Sequence, residues 1–152
     1  MIRKIPVLIT ALPHARDLPY PTYATSESAG VDLQAAIKNP IYLQPGSRHL
    51  IPTGIYIEIP VGYEGQIRSR SGLSLNHGVV VLNSPGTIDS DYRGEIKVVL
   101  INLGQEIFTI ERGMRIAQFV LSPLVHIMWH EISIDEITET ARGAKGFGST
   151  GV

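Results

Sequence analysis

The chain has 152 residues, a formal net charge of −1, 43% hydrophobic and 18% charged residues, and no cysteine. A domain of this length buries roughly 68–70% of its unfolded surface, enough for its own core. Near-neutrality supplies no long-range pull toward nucleic acid polymers, the lack of cysteine excludes disulfides, thiolate zinc sites and cysteine nucleophiles, and no run nears the roughly 20 apolar residues of a membrane span.

From the amino end, Met1–Ile9 reads as a first β-strand. Two basic residues precede a short apolar stretch, but Pro6 interrupts it and Pro13, His14 and Arg16 follow, which does not suit a signal peptide. A cytoplasmic protein is the default expectation. Ala29-Gly30-Val31-Asp32-Leu33 then reads as a turn into a strand, with Asp32 a structural hydrogen-bond acceptor.

Short Ile- and Val-rich runs follow, at 41–43, 48–51, 55–59, 66–68, 79–82, 95–102, 108–110 and 116–121. Such residues suit a pleated, half-buried surface. Turn signals separate the runs, among them Asn39-Pro40, Pro45-Gly46, Ser84-Pro85-Gly86 and Arg112-Gly113. Many short strands at this spacing predict an all-β, jelly-roll-like barrel or sandwich. One short helix is expected over Ser71–His77, with a Ser capping its start, and a weaker turn near Ile134–Ile137. No repeat or second composition regime appears, so residues 1–152 form one domain: a β core over 1–138 and an arm over 139–152.

Four segments carry candidate chemistry. In Arg70-Ser71-Gly72-Leu73-Ser74, glycine admits an anion close to the backbone, Ser donates a hydroxyl and Arg offers a planar fork. A polar turn accounts for the same residues equally well. The run from Asn83 to Gly94, with Asp89, Asp91 and Tyr92, links two apolar strands and predicts a long hairpin. An Asn amide can match a pyrimidine edge, and two aspartates can supply a base or cation site; as plain turn formers they need neither role. Gln118 in Gly113-Met-Arg-Ile-Ala-Gln118 faces either ligand or solvent. Finally, four of the fifteen glycines fall between Gly143 and Gly151, in a segment with one large apolar side chain. It cannot order itself alone, so a frayed tail accounts for it; its aromatic, cations and hydroxyls would also suit closure over a nucleotide.

Other chemistries lack their signatures: there is no G-x-x-x-x-G-K-[ST] loop, no G-x-G-x-x-G after a strand, no H-E-x-x-H and no G-x-S-x-G elbow. The five histidines do not fall at paired metal-ligand spacing.

Taken together and in order, the segments Ala29–Ala35, Arg70–Ser74, Asn83–Gly94, Gly113–Gln118 and Arg142–Gly151 resemble the five motifs of the all-β, trimeric deoxyuridine triphosphatase (dUTPase) family. The resemblance spans nearly the whole chain, including Leu18–Thr25. It implies hydrolysis of dUTP to dUMP and pyrophosphate, which limits uracil incorporation into DNA and supplies dUMP for dTMP synthesis. It further implies that Asn83 and main-chain groups of Thr87, Ile88 and Lys97 read uracil, that Tyr92 packs on the deoxyribose, and that Asp89 activates the water attacking the α-phosphorus. Arg70, Ser71, Gly72 and Gln118 would stabilise phosphate charge, with Asp32 in support. Phe147 would stack on uracil, and Arg142, Ser149 and Thr150 would grip the γ-phosphate. The resemblance also implies Mg²⁺ carried mainly on the triphosphate with no dedicated protein metal cage, and a homotrimer with shared sites.

Two positions depart from the family pattern. Lys145 stands where Gly is common, restricting a torsion while adding a cation. Ser69 stands where Pro is common, which frees φ and leaves Arg70-Ser71-Gly72 intact. Two rivals bracket this expectation. A dCTP deaminase-like enzyme would need a Glu-centred water activation, where this chain has Asp89. A non-catalytic nucleotide-binding protein on the same scaffold would need no base.

Overall fold

A computed structural model describes residues 2–146. Eleven strands and one α-helix make up the regular structure of these residues: β1 (Leu8–Ala11), β2 (Val31–Gln34), β3 (Ile41–Leu43), β4 (Arg48–Pro52), β5 (Ile55–Glu58), β6 (Tyr63–Arg68), α1 (Ser71–His77), β7 (Val79–Val81), β8 (Gly86–Ile88), β9 (Lys97–Asn102), β10 (Phe108–Ile110) and β11 (Arg115–Pro123). Short 3₁₀ turns cover Pro13–Ala15 and Ile134–Glu136. Every strand pair is antiparallel.

The strands fall into four sheets and do not close into one barrel: β1-β5, β10-β3, β2-β11-β6-β8 and β4-β9-β7. This is the all-β, jelly-roll-like arrangement. Period-two patterning builds the core. In β5, Ile55 and Ile57 are buried while Tyr56 and Glu58 face out, because successive strand residues point to opposite faces. β9 does the same with Val98, Leu100 and Asn102 buried. Leu33, Ile51, Ile96, Leu100, Ile110 and Ile116 meet in the core, each at most 1% exposed.

Several element boundaries differ from expectation. β1 begins at Leu8, after Pro6, which has no N–H to offer a ladder. The helix occupies Ser71–His77, yet Arg70 and not a Ser stands at its N-cap. The Ser69 hydroxyl is instead spent as acceptor for Val81 N–H at 2.9 Å. Gly78 ends the helix with φ +67, and a Cβ there would meet Gly104 N at 2.5 Å, so the position needs glycine. The 79–102 segment does form a hairpin, with Val79 opposite Asn102 and Val81 opposite Leu100. Its loop contains β8, which leaves the hairpin and joins β6 in another sheet.

Strands end at Pro123. Beyond it Val125, Ile127, Met128, Trp129 and Ile134 are each more than 70% exposed, a concentration of bare apolar surface unusual for a chain that acts alone.

Candidate active site

The four-stranded sheet assembles one half of the candidate site. Gln118 of β11 lies opposite Asp32 of β2 on one side and opposite Arg68 of β6 on the other. Directly opposed residues of neighbouring strands point to the same face, so three separate segments converge there. Chain leaving β6 runs through Ser69 to Arg70. Gln118 Nε2 donates to the Ser69 carbonyl at 3.0 Å, and its Oε1 lies where a side chain on Gly30 would have to stand. Glycine at position 30 therefore makes room for the Gln118 amide. Gln118 faces neither bulk solvent nor open space alone; beside Gly30, it ties β11 to the chain that leads into Arg70.

Asp32 is engaged at both oxygens. Arg70 Nε donates to Oδ1 at 3.1 Å and Arg115 Nη1 to Oδ2 at 3.3 Å. Arg70 Nη1 also donates to the Arg115 carbonyl at 3.0 Å. One carboxylate between two guanidinium groups leaves a net positive cluster. A guanidinium has five N–H donors in a fixed fork, so the outer edge of Arg70 remains for an anion. Ser71 and Gly72 follow at the exposed start of α1. No heavy atom lies within 4 Å of a Cβ built on Gly72. Among the described residues nothing requires glycine there, and its bareness leaves an open approach to the backbone.

The other half of the site is the loop of the 79–102 hairpin. Asn83 is exposed, its Nδ2 3.4 Å from where a Gly86 Cβ would stand. Thr87 and Ile88 lie on β8, opposite Gln66 and Gly65. Beyond β8 the chain turns sharply. Tyr92 N–H donates to the Asp89 carbonyl at 3.1 Å, and Arg93 Nη1 donates to the Ser90 carbonyl at 2.7 Å. Arg93 also reaches Glu58 at 3.5 Å. The turn is thus closed by its own backbone, and the Asp89 carboxylate makes no hydrogen bond among the described residues. Asp89 is exposed. The Tyr92 hydroxyl donates to the Glu95 carbonyl at 2.9 Å, and its ring crosses Gly94 so closely that any side chain there would collide with it. Lys97 opens β9 on the facing strand.

Within one chain the halves are apart. Ile88 pairs with Gly65, and β8 runs away from Arg70 toward Asp89. Five residues of extended chain separate Gly65 from Arg70, about 16 Å at about 3.3 Å each. Of the arm, Arg142 is exposed and its Nε donates to the Lys145 carbonyl at 3.0 Å. Phe147, Ser149 and Thr150 lie outside the described residues. Arg115 and Ser69 emerge as partners that sequence reasoning left without a role. Arg115 stands inside a motif, but its link to Asp32 depends on the β2–β11 register.

The dUTPase family profile matches residues 16–151. The deoxyuridine 5'-triphosphate nucleotidohydrolase of Wolbachia pipientis subsp. Culex pipiens (strain wPip) is 56% identical over 148 residues, covering 97% of either chain. That of Rickettsia akari (strain Hartford) is 61% identical over 132 residues, covering 87% of this chain and 88% of the relative. Among solved structures, the Staphylococcus bacteriophage 80alpha dUTPase with dUPNHPP superposes with a TM-score of 0.82 at 26% identity, covering 98% of this chain and 100% of the phage protein. The chain belongs to the dUTPase family of nucleotide-metabolising hydrolases.

Proposed function

We propose that this protein hydrolyses dUTP to dUMP and pyrophosphate, with Asp89 as the base that activates water. One observation carries the reading: Asp89 is an exposed carboxylate without a hydrogen-bond partner among the described residues, on a turn closed by backbone bonds, whereas Asp32 is held by two arginines. An unengaged carboxylate is free to hold a water and take its proton, whereas both oxygens of Asp32 are already occupied by guanidinium groups. The water oxygen bonds to the α-phosphorus as Asp89 takes its proton, and the bond from that phosphorus to the bridging oxygen breaks to release pyrophosphate. Arg70, Ser71 and Gly72 take up phosphate charge, and Gln118 supports them by bracing Ser69.

Uracil is read by Asn83 and by main-chain groups of Thr87, Ile88 and Lys97. A fixed backbone pattern cannot rotate to accept cytosine, and unpaired buried groups reject an analogue by about 10⁴–10⁵. Tyr92 walls the sugar. The arm closes the site through Arg142, Phe147, Ser149 and Thr150.

Mg²⁺ is assigned to the triphosphate, where it neutralises phosphate charge. The donor set suits this arrangement: among the described residues no three His, Asp or Glu side chains converge, and Mg²⁺ readily keeps its waters while binding phosphate oxygens. The separation of Asp89 from Arg70 supports a site shared between copies, since one triphosphate does not span that gap. Bare apolar side chains beyond Pro123 also call for a neighbouring subunit. A homotrimer meets both needs. Among the described residues no helix is long and apolar enough to cross a membrane.

A pyrophosphate-release assay with dUTP, dTTP, dCTP and UTP, with and without Mg²⁺, tests this. Rapid Mg²⁺-stimulated release from dUTP alone is the expected result. Ammonia release from dCTP would revive the deaminase, and nucleotide binding without turnover would leave a binding protein.

A further inference from the structure

The root of the hairpin is fastened by a carboxylate that the chemistry above does not use. The Glu95 side chain is only 14% exposed. Its Oε1 accepts the Gly54 N–H at 2.9 Å and faces His14 Nε2 at 2.9 Å, and its Oε2 lies 3.8 Å from Lys97 Nζ. A carboxylate taken this far out of water is costly unless paired and hydrogen-bonded, and Glu95 is both.

The anchors are themselves fixed. Gly54 has φ +68, and any side chain there would run into Ala15. The His14 carbonyl accepts from Arg112 Nη2 at 2.8 Å, while Arg112 Nη1 donates to the Ile37 carbonyl at 3.1 Å. Holding the hairpin to the body does not require Glu95. One residue later, Ile96 N–H already donates to the Ile55 carbonyl at 2.9 Å, and the Ile96 carbonyl accepts from Thr53 N–H at 3.2 Å. The added link acts on the orientation of residue 95, whose carbonyl takes the Tyr92 hydroxyl.

We propose that Glu95, held by His14 and Gly54, is a positioning residue for sugar selection: it sets the carbonyl that anchors the Tyr92 hydroxyl, an inference that rests on Tyr92 forming the sugar side of the site. Among the described residues the ring has one hydrogen bond and the flat of Gly94 to hold it. If residue 95 turns, the ring swings and a 2′-hydroxyl finds room.

The test is steady-state kinetics of the full-length protein with dUTP and UTP. Glu95→Ala should narrow the dUTP:UTP ratio of kcat/KM by about tenfold, the upper worth of one neutral hydrogen bond. For dUTP, KM should rise more than kcat falls. Glu95→Gln keeps an oxygen for Gly54 N–H and should recover most of the ratio. Tyr92→Phe should narrow it as Glu95→Ala does, and the double variant should be no worse than the poorer single, because both break one chain of contacts. His14→Ala, which removes a 44% exposed ring, carries the test if Glu95→Ala fails to fold, and it must narrow the ratio too. A narrowed ratio in Tyr92→Phe with no change in Glu95→Ala or His14→Ala, or fully additive losses, overturns the positioning role. An unchanged ratio in Tyr92→Phe would show that the hydroxyl tether does not hold the ring, which overturns the positioning role, whereas an unchanged ratio in Tyr92→Ala would remove the sugar wall itself.

Discussion

Two aspartates of similar chemistry are placed in opposite surroundings by their neighbours. Asp32 is held at both oxygens by Arg70 and Arg115. Asp89 has no such partner among the described residues and sits on a self-closed turn. Replacing Asp89 with Asn preserves shape and removes basicity. Asp89→Asn should retain nucleotide affinity by calorimetry while kcat falls by about 10²–10⁴, the usual worth of a positioned base. An unchanged kcat would remove Asp89 from the chemistry. At this scale the sequence was informative about which residue types stand together and mute about which of them are tied up. Arg115 was visible inside its motif, but only the pairing of β2 with β11 brings it to Asp32.

Among elements, alternation made β5 and β9 legible, because each buries one face and wets the other. β8 was not legible: Gly86-Thr87-Ile88 has the composition of a turn, and its partner β6 is distant in sequence. The choice of neighbouring strand is a long-range packing outcome that local pattern does not encode. Asn102 shows the same limit. At the end of β9 it is fully buried, its Nδ2 donating to the carbonyls of Leu43 and Glu106 at 2.9 and 2.7 Å and its Oδ1 accepting from Gly104 N–H at 2.9 Å. It thus splices β9, β3 and the turn before β10. Asn102→Ala strands three backbone groups, each worth about 1–3 kcal/mol when left unpaired in the interior. Because two of them lie nearer water, a loss of roughly 2–5 kcal/mol is expected, read as a lower urea midpoint at unchanged m.

Over the whole molecule, the amino-terminal turn is clasped to the body by Arg112, whose guanidinium also donates to Asp17 at 2.5 Å. That bond is the main reason the Asp17 carboxyl titrates below its ordinary 3.8. A carboxylate with a depressed folded-state pKa stabilises the fold fully above its unfolded value and loses that contribution as pH falls through the folded one. Thermal melts should therefore show Asp17→Asn less stable than the parent near neutrality and converging with it well below pH 3.8. Convergence at neutral pH instead would mean the exposed pair contributes nothing.

Asp89 and Arg70 stand toward opposite ends of β6. If each chain lends its base to one pocket and its cation to the next, defects in the two roles become separable by subunit exchange. Homogeneous Asp89→Asn and Arg70→Ala preparations should each be nearly dead. Unfolded together and reassembled at equal amounts, they should recover turnover in about a quarter of pockets, those that draw both sound halves from different chains in a cyclic assembly. A monomeric enzyme could never be rescued this way, so two silent proteins that revive each other would report the architecture through rate alone.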